Sequence, residues 1–343
     1  MKKAGKSMSD PCVIVPNWNG EDGLRECLDS LRAQSLKPHI IVVDNGSSDG
    51  SVALIEERYP EVELIRNLRN EGYAGGVNPG FERAIERGAS YAAPFNNDAI
   101  ADKDWLKQLV AYLDKHPETG IAACKLLTAD GKALDSTGDY YTVWGLPYPR
   151  GRGESDINKY DAETDVFAAS GGASLYRVDM LKQIGLFDER FFAYYEDVDL
   201  SFRAQLAGWK VAYVPAAKAY HAIGATSSRV RGFTTYQTLK NLPMLLVKNV
   251  PRRYLWAIGW RFCVAQSLFF LRALSRGHIW SALKGKVVCV AYLPDTLMKR
   301  RRIQAARRVS DDYVWKMLVH DLPPNARALR RLRRVLRPGG HKA

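Results

Sequence analysis

The side chains of this sequence that could do chemistry are a few carboxylates and one imidazole, distinguished by where they fall. Asp98 closes Asn96-Asn97-Asp98 directly after a strand-like run. A carboxylate there can hold a divalent cation that bridges a diphosphate, because hard cations take oxygen ligands and leave positions open for phosphate. An Asp in that place also serves as a turn or cap residue ahead of the helix expected from near Asp102. Glu196 and Asp197 open a helical pattern after Phe191-Phe192-Ala193-Tyr194-Tyr195. An aromatic run excludes water and raises a carboxyl toward the range of a general base. Two acids at a helix start are equally favoured by the helix dipole alone. Asp199, four residues before Arg203, reads as half of a surface ion pair. His221 ends a strand-like run at the mouth of a small-residue loop, Gly224 to Ser228, that could close over a ligand.

The pattern before these residues says what must hold them. Cys12 to Val15 is an apolar run ending at Pro16-Asn17, and Leu24, Cys27, Leu28 and Leu31 then recur as on a buried helix face. His39 to Val43 is a second strand, closed by Asp44-Asn45-Gly46, and Ser48 or Asp49 should cap the helix that carries Leu54 and Ile55. Val62 to Ile65 is a third strand. A Gly-rich turn (Gly72, Gly75, Gly76, Gly80) leads into a helix ending near Arg87-Gly88, and Tyr91 to Phe95 is a fourth strand. This alternation predicts an α/β fold with a mainly parallel sheet and helices on both faces. Ligands in such folds bind beyond the carboxyl ends of the strands, so Pro16-Asn17, Asp44-Asn45, Asn67 to Asn70 and Asn96 to Asp98 should converge on one edge. Any one of these segments alone is an ordinary turn.

A helix (Trp105 to Leu113) and a strand (Ile121 to Leu127) follow, and Thr137 to Asp161 reads as a mobile loop or hairpin. Gly171 and Gly172 lie in a run of small residues, Ala168 to Ala173, where a backbone can approach a ligand closely. A helix from Asp197 to Ala207 stops at Gly208, and Lys210 to Val214 is a further strand.

With 46% hydrophobic and 10% aromatic residues in 343, the chain is neither disordered nor short of core. Cys12, Cys27, Cys124, Cys263 and Cys289 contain no CxxC pair, which argues against a disulfide framework and a structural zinc site. The first fifteen residues hold no apolar run of signal-peptide length, so the expected location is cytoplasmic. The net charge of +13 conceals a division: residues 1–224 carry 25 basic and 33 acidic side chains, residues 225–343 carry 25 and 4. In the basic part Tyr254, Trp256, Trp260, Phe262, Phe269, Phe270 and Trp280 are interleaved with Lys and Arg. Leu255 to Leu271 is only 17 residues long with Arg261 at its middle. A span needs roughly 20 apolar residues and a central Arg costs about 2.5–3.5 kcal/mol, so this segment reads as interfacial. Basic amphipathic helices with an aromatic face suit an anionic membrane surface, whereas nucleic acid would need the charge but not the Trp and Phe; no nucleic-acid partner is expected.

In order, the segments PNWNG, VVDNGSSDGS, NEGYAGGVNPG, FNND, GGASLYR, GLFDERFFAYYEDVDLSFR and GWKVAYVP resemble family 2 inverting glycosyltransferases of the GT-A (Rossmann-like) fold. Within that family the chain is similar to bacterial rhamnosyltransferases acting on polyprenyl-diphosphate-linked sugars. The resemblance covers roughly Pro11 to Ser228 and implies a catalytic domain over 1–228, followed by a basic helical membrane-associating region over 229–343. It implies that Pro16, Asn17 and Asp44 line the base and ribose of a nucleotide, and that Asn70, Gly72, Gly76 and Asn78 shape the wall around its sugar. Asn45, Asn96, Asn97, Gly171 and Gly172 are expected among the donor-binding residues. Asp98 matches the last acid of a DxD motif whose first acid is here Asn96, and His221 matches a further ligand of Mg2+ or Mn2+. Asp197, beside Glu196, matches the general base. The implied reaction is transfer of a sugar, L-rhamnose from dTDP-rhamnose or galactofuranose from a UDP donor, to a lipid-linked or glycan acceptor at the inner face of the membrane, as part of cell-envelope glycan synthesis. A homodimer stays open. The alternative from another class is a non-catalytic nucleotide- or nucleic-acid-binding protein in which Asp98 and Asp197 are caps.

Overall fold

In the computed structural model, which describes residues 11–222, 230–324, 326 and 330, alternation along the first strand assigns the helices to their faces. The chain divides into two units, Met1–Asp139 with Pro149–Thr226 and Tyr140–Tyr148 with Ser227–Ala343. The first unit opens with β1 (Cys12–Asn17), α1 (Glu21–Arg32), β2 (His39–Asp44), α2 (Ser51–Arg58), β3 (Glu63–Arg66), α3 (Gly72–Glu86) and β4 (Tyr91–Pro94). Val13 and Val15 pack with Leu24, Cys27, Leu28 and Leu31 of α1 and with Leu54 of α2; Cys12 and Ile14 pack on the other face with Val77 and Phe81 of α3. A strand buried on both sides reads as a continuous apolar run, which is why CVIV shows no polar alternation.

There follow β5 (Ala99–Ala101), α4 (Trp105–Lys115), β6 (Thr119–Thr128), β7 (Leu134–Ser136), β8 (Asp139–Tyr141) and β9 (Pro147–Pro149), then β10 (Thr164–Asp165), β11 (Leu175–Arg177), α5 (Val178–Ile184), α6 (Glu196–Leu206) and β12 (Lys210–His221). The large sheet has the order β10-β12-β6-β11-β4-β1-β2-β3, with β5 on β12 and β7 on β6. The expected parallel arrangement holds from β4 through β1 and β2 to β3; the other half is mixed, because β11 runs antiparallel to both β4 and β6.

Four local expectations change. The Gly-rich stretch is not a turn but the first half of α3. Glycine is a poor helix former, yet here it lets the helix lie on the sheet: a Cβ at Gly80 would stand 2.4 Å from Cγ2 of Ile14. The residue capping α2 is Gly50 rather than Ser48 or Asp49, and Asp49 Oδ1 instead accepts from Ser51 N at 3.1 Å. Asp98 leads into the short strand β5, not directly into a helix. Asp199 and Arg203 form no surface pair: both are buried, Arg203 Nε donates to Asp199 Oδ2 at 2.9 Å, and its remaining N–H groups donate to the carbonyls of Ile184, Gly185 and Leu186. The pair therefore ties α6 to the end of α5.

The second unit contains α7 (Phe233–Asn249), α8 (Leu255–Ser275), α9 (Ile279–Ala291), α10 (Leu293–Ala305) and α11 (Asp311–Met317). Leu239, Ala273 and Ala282 form a small core with Phe269 and Phe270, and Phe262 is buried while Trp256 and Trp280 stand in solvent. The stretch read as a loop or hairpin contains the two-stranded sheet β8-β9, and its tip packs within this unit: Trp144 and Trp260 have ring centroids 6.2 Å apart. Among the described residues, Arg252–Ser275 is long and apolar enough to cross a membrane, with a mean hydropathy of 1.2. Its central Arg261 turns back onto the carbonyl of Ala257 and over the Trp260 ring. The loop Gly224 to Ser228 and the basic residues after Arg330 lie outside the described residues.

Removing one partner of a buried ion pair leaves the other charge uncompensated. Asp199→Ala should cost about 3–5 kcal/mol of stability, measured by denaturant unfolding, several times the loss expected for an exposed pair.

Candidate active site

The parallel register sets one edge of the site. β1 and β2 place Asn17 opposite Asp44 at their carboxyl ends. Asn17 Nδ2 donates to Asp44 Oδ1 at 3.2 Å and to Ser47 Oγ at 3.3 Å, and Asn97 Nδ2 donates to Asn17 Oδ1 at 2.8 Å. Asn45 Nδ2 donates to the Gly72 carbonyl at 2.8 Å, and Gly76 backs onto the Asn45 amide and Pro16. Asn70 Oδ1 accepts from Gly72 N at 2.8 Å, which holds Gly72 at φ +76°, where an added Cβ would strike Phe192. Three of the four Asn- and Asp-rich segments thus interlock through side chains, and the fourth joins through Asn67 Nδ2, which donates to Asn45 Oδ1 at 2.8 Å. Asn78 departs from the expected wall. Its amide is fully used inside the fold, donating to the Phe187 carbonyl at 3.0 Å and accepting from Phe187 N at 3.1 Å, so it braces α3 against the segment before α6.

The second half of the sheet delivers the imidazole. β12 pairs antiparallel with β5, placing His221 opposite Ala99 and so beside Asp98. His221 Nε2 lies 3.2 Å from Asp98 Oδ1 and 3.0 Å from Asn96 Nδ2. Burial pushes the His221 pKa down, but hydrogen bonds and charges from Asp135 and Asp98 outweigh it and raise it to about 9. Among the described residues no group of three or more His, Cys, Asp or Glu side chains forms a ready metal cage. One carboxylate oxygen and one imidazole nitrogen converging at a sheet edge nonetheless suit Mg2+ or Mn2+, which commonly take few protein ligands and complete their shell with phosphate and water.

Asp197 is reached through the glycines. Gly171 N donates to Asp197 Oδ2 at 2.9 Å, and the adjacent Gly172 carbonyl accepts from Asn96 N at 2.9 Å. Two consecutive residues therefore span from the Asp98 segment to Asp197. Tyr73 Oη donates to the Gly171 carbonyl at 2.8 Å and steadies this strap. Burial raises the Asp197 pKa above the ordinary carboxylate value, against the opposing pull of the Gly171 and Val198 N–H groups and the Arg152 charge. The preceding aromatic segment is wound through the left-handed region at Phe192 (φ 63°), Tyr194 (φ 69°) and Tyr195 (φ 73°). Such backbone costs of order 1–3 kcal/mol per residue and persists only where the surroundings impose it. Glu196, next to Asp197 at the start of α6, is buried.

Three residues were not singled out in the sequence. Asp135 Oδ2 lies 2.9 Å from His221 Nδ1, and Asp135 Oδ1 lies 2.6 Å from Arg152 Nη2. Asp139, held by Ser136 Oγ at 3.0 Å, is pushed up to about 7 by burial and by the nearby Asp197 charge. The visible signal was two Asp residues bracketing Ser-Thr-Gly at the start of the stretch read as a loop or hairpin, Asp135 just before it and Asp139 within it.

Residues 12–185 match the family described as Glycosyl transferase family 2. Two relatives are an N-acetylglucosaminyl-diphospho-decaprenol L-rhamnosyltransferase of Mycobacterium tuberculosis, 29% identical over 61% of this chain and 75% of that one, and a dTDP-rhamnosyl transferase RfbF of Shigella flexneri, 22% identical over 69% and 80%. Among solved structures, a mannosyltransferase from Pyrobaculum calidifontis in complex with GDP-Man and Mn2+ aligns with a TM-score of 0.53 at 17% identity, covering 90% of this chain and 86% of that one. S. aureus TarS in complex with UDP-GlcNAc aligns with a TM-score of 0.54 at 18% identity, covering 87% and 84%. These likenesses bear on the fold, and the non-catalytic alternative falls with the family match: the chain is a glycosyltransferase and belongs to glycosyl transferase family 2.

Proposed function

We propose that this glycosyltransferase moves a sugar with inversion from a nucleotide diphosphate donor, dTDP-L-rhamnose in the favoured reading, to a hydroxyl of a polyprenyl-diphosphate-linked acceptor. The observation that carries the reading is the Gly171-Gly172 strap, which bonds the Asn96–Asp98 segment on one side and Asp197 on the other. A donor-side acid and an acceptor-side acid are thereby fixed relative to one another. The rhamnosyltransferase relatives support the choice of donor and acceptor. Asp98 and His221 would hold Mg2+ or Mn2+, which when bound neutralises charge on the leaving nucleoside diphosphate.

The chain's own groups account for the rest. The interlocked Asn17, Asp44 and Asn45 give the donor edge a fixed shape, and the strap holds Asp197 where it accepts the proton of the attacking hydroxyl. The C–O bond to the acceptor forms as the bond to the diphosphate breaks, so one displacement inverts the anomeric centre without a nucleophilic side chain. The raised pKa suits a base that must bind its proton firmly.

The same reading places the enzyme on the cytoplasmic face of the membrane. Trp280, Leu283, Val287 and Val290 recur at helical spacing along α9, and Trp280, Val287 and Val290 are 80%, 67% and 69% exposed. Between Asp199 and Asp295 the chain has no acidic residue. An apolar stripe in a stretch rich in Lys and Arg matches an anionic leaflet, where each basic residue contributes about 1 kcal/mol.

Asp197→Asn should abolish transfer while donor binding, read by calorimetry, survives; near-normal turnover would remove Asp197 as the base. The acidic limb of kcat/KM should lie above the ordinary carboxylate range, because activity needs Asp197 ionised and its pKa is raised; a limb at or below that range would count against the assignment. Asp98→Ala should weaken metal-dependent donor binding. In flotation with anionic vesicles, the Trp280→Ser, Val287→Ser double variant should lose most of its bound fraction; unchanged flotation would exclude the α9 stripe as the contact.

A further inference from the structure

Asp135 lies in the middle of β7 with its side chain 1% exposed. A carboxylate in such a place is expensive unless its charge is answered. Its two oxygens have different partners: Oδ2 faces His221 Nδ1 at 2.9 Å, and Oδ1 faces Arg152 Nη2 at 2.6 Å. Arg152 Nε also donates to the Asp135 carbonyl at 3.1 Å, so the guanidinium grips both side chain and backbone of one residue. Beyond the ring, Nε2 faces Asp98 Oδ1 at 3.2 Å. The imidazole is thus clamped between one carboxylate sealed in the protein and one at the donor edge.

An ionised carboxylate only accepts hydrogen bonds, so each ring nitrogen directs a hydrogen to its own carboxylate; a cation held beside Asp98 would take the place of the Nε2 hydrogen, while the Nδ1 hydrogen stays on Asp135. Strand pairing enforces this. β7 pairs with β6, β6 pairs with β12 through Thr128 opposite His221, and β12 pairs with β5 through His221 opposite Ala99. The two carboxylates approach the ring from elements on either side of β12.

We propose that Asp135 is a positioning residue for the cation site. Held by Arg152, it fixes the His221 ring so that Nε2, and not Nδ1, is offered beside Asp98, and it makes that nitrogen a stronger donor. This rests on the reading of Asp98 and His221 as cation ligands. Carboxylate partners of this kind generally change metal affinity about 10–100-fold when removed.

Mn2+ titration of the full chain in the presence of dTDP, following free Mn2+ by electron paramagnetic resonance, tests the proposal without reference to turnover. Asp135→Asn should weaken Mn2+ binding about tenfold, and Asp135→Ala should approach the hundredfold end of the range. In a His221→Ala background Asp135→Asn should cause no further loss, because its effect runs through the ring. If the alanine variant does not fold, the near-isosteric Asn variant, checked by circular dichroism, decides. A folded Asp135→Asn chain with native Mn2+ affinity, where His221→Ala has lost it, overturns the positioning role and leaves the ligands standing. An equal loss from Asp135→Asn in both backgrounds also overturns it, since the effect would bypass the ring. Native affinity in His221→Ala removes the ligand assignment itself, and the positioning role with it.

Discussion

The antiparallel pairing of β5 with β12 is the constraint on which the rest of the site depends. β5 has only three residues, yet it sets Ala99 against His221 and so puts the imidazole beside Asp98. The same β12 pairs with β6, which carries β7 and Asp135 to the far side of the ring. Asp98 and His221 are far apart in sequence and meet only through this pairing. Without that pairing, Asp98 is a turn residue and His221 a strand-end histidine.

The other half of the site depends on glycine where side chains would obstruct. Gly171 and Gly172 run between Asp98's segment and Asp197, and a Cβ on Gly172 would press on Asn96 at 3.0 Å. The left-handed aromatic segment before α6 meets Gly72, where any Cβ would overlap Phe192. Local conformational cost is thus concentrated around Asp197, while the helices and the parallel strands supply the burial that sustains it.

Much of this was legible in the sequence, for identifiable reasons. Leu24, Cys27, Leu28 and Leu31 declare α1 because helical period and burial coincide there. The Asn- and Asp-rich segments declared a common edge because a parallel sheet sends all its strand ends one way. The places of Asp98 at a strand end and of Asp197 at a helix start were legible from position, and the roles proposed for them come from resemblance. What stayed hidden depends on long-range pairing or on depth. The i, i+4 spacing of Asp199 and Arg203 is the same on a surface helix and a buried one. Asp135 drew no notice because nothing local shows that β7 will pair with β6. Asn78 sits in a glycine-rich motif, and only the fold shows its amide spent on Phe187. In the basic region the composition was plain, but only helix packing separates buried Phe262 from exposed Trp256 and Trp280.

The proposed reaction turns on a single displacement at the anomeric carbon, assisted by one base and no nucleophile. It is tested most directly by the stereochemistry of the product. The full chain, supplied with a nucleotide-sugar donor of known anomeric configuration, a lipid-linked acceptor and Mn2+, should yield a glycoside whose anomeric configuration, read by NMR, is opposite to that of the donor. A product that retains the donor's configuration would require two displacements or front-face attack and would contradict the account.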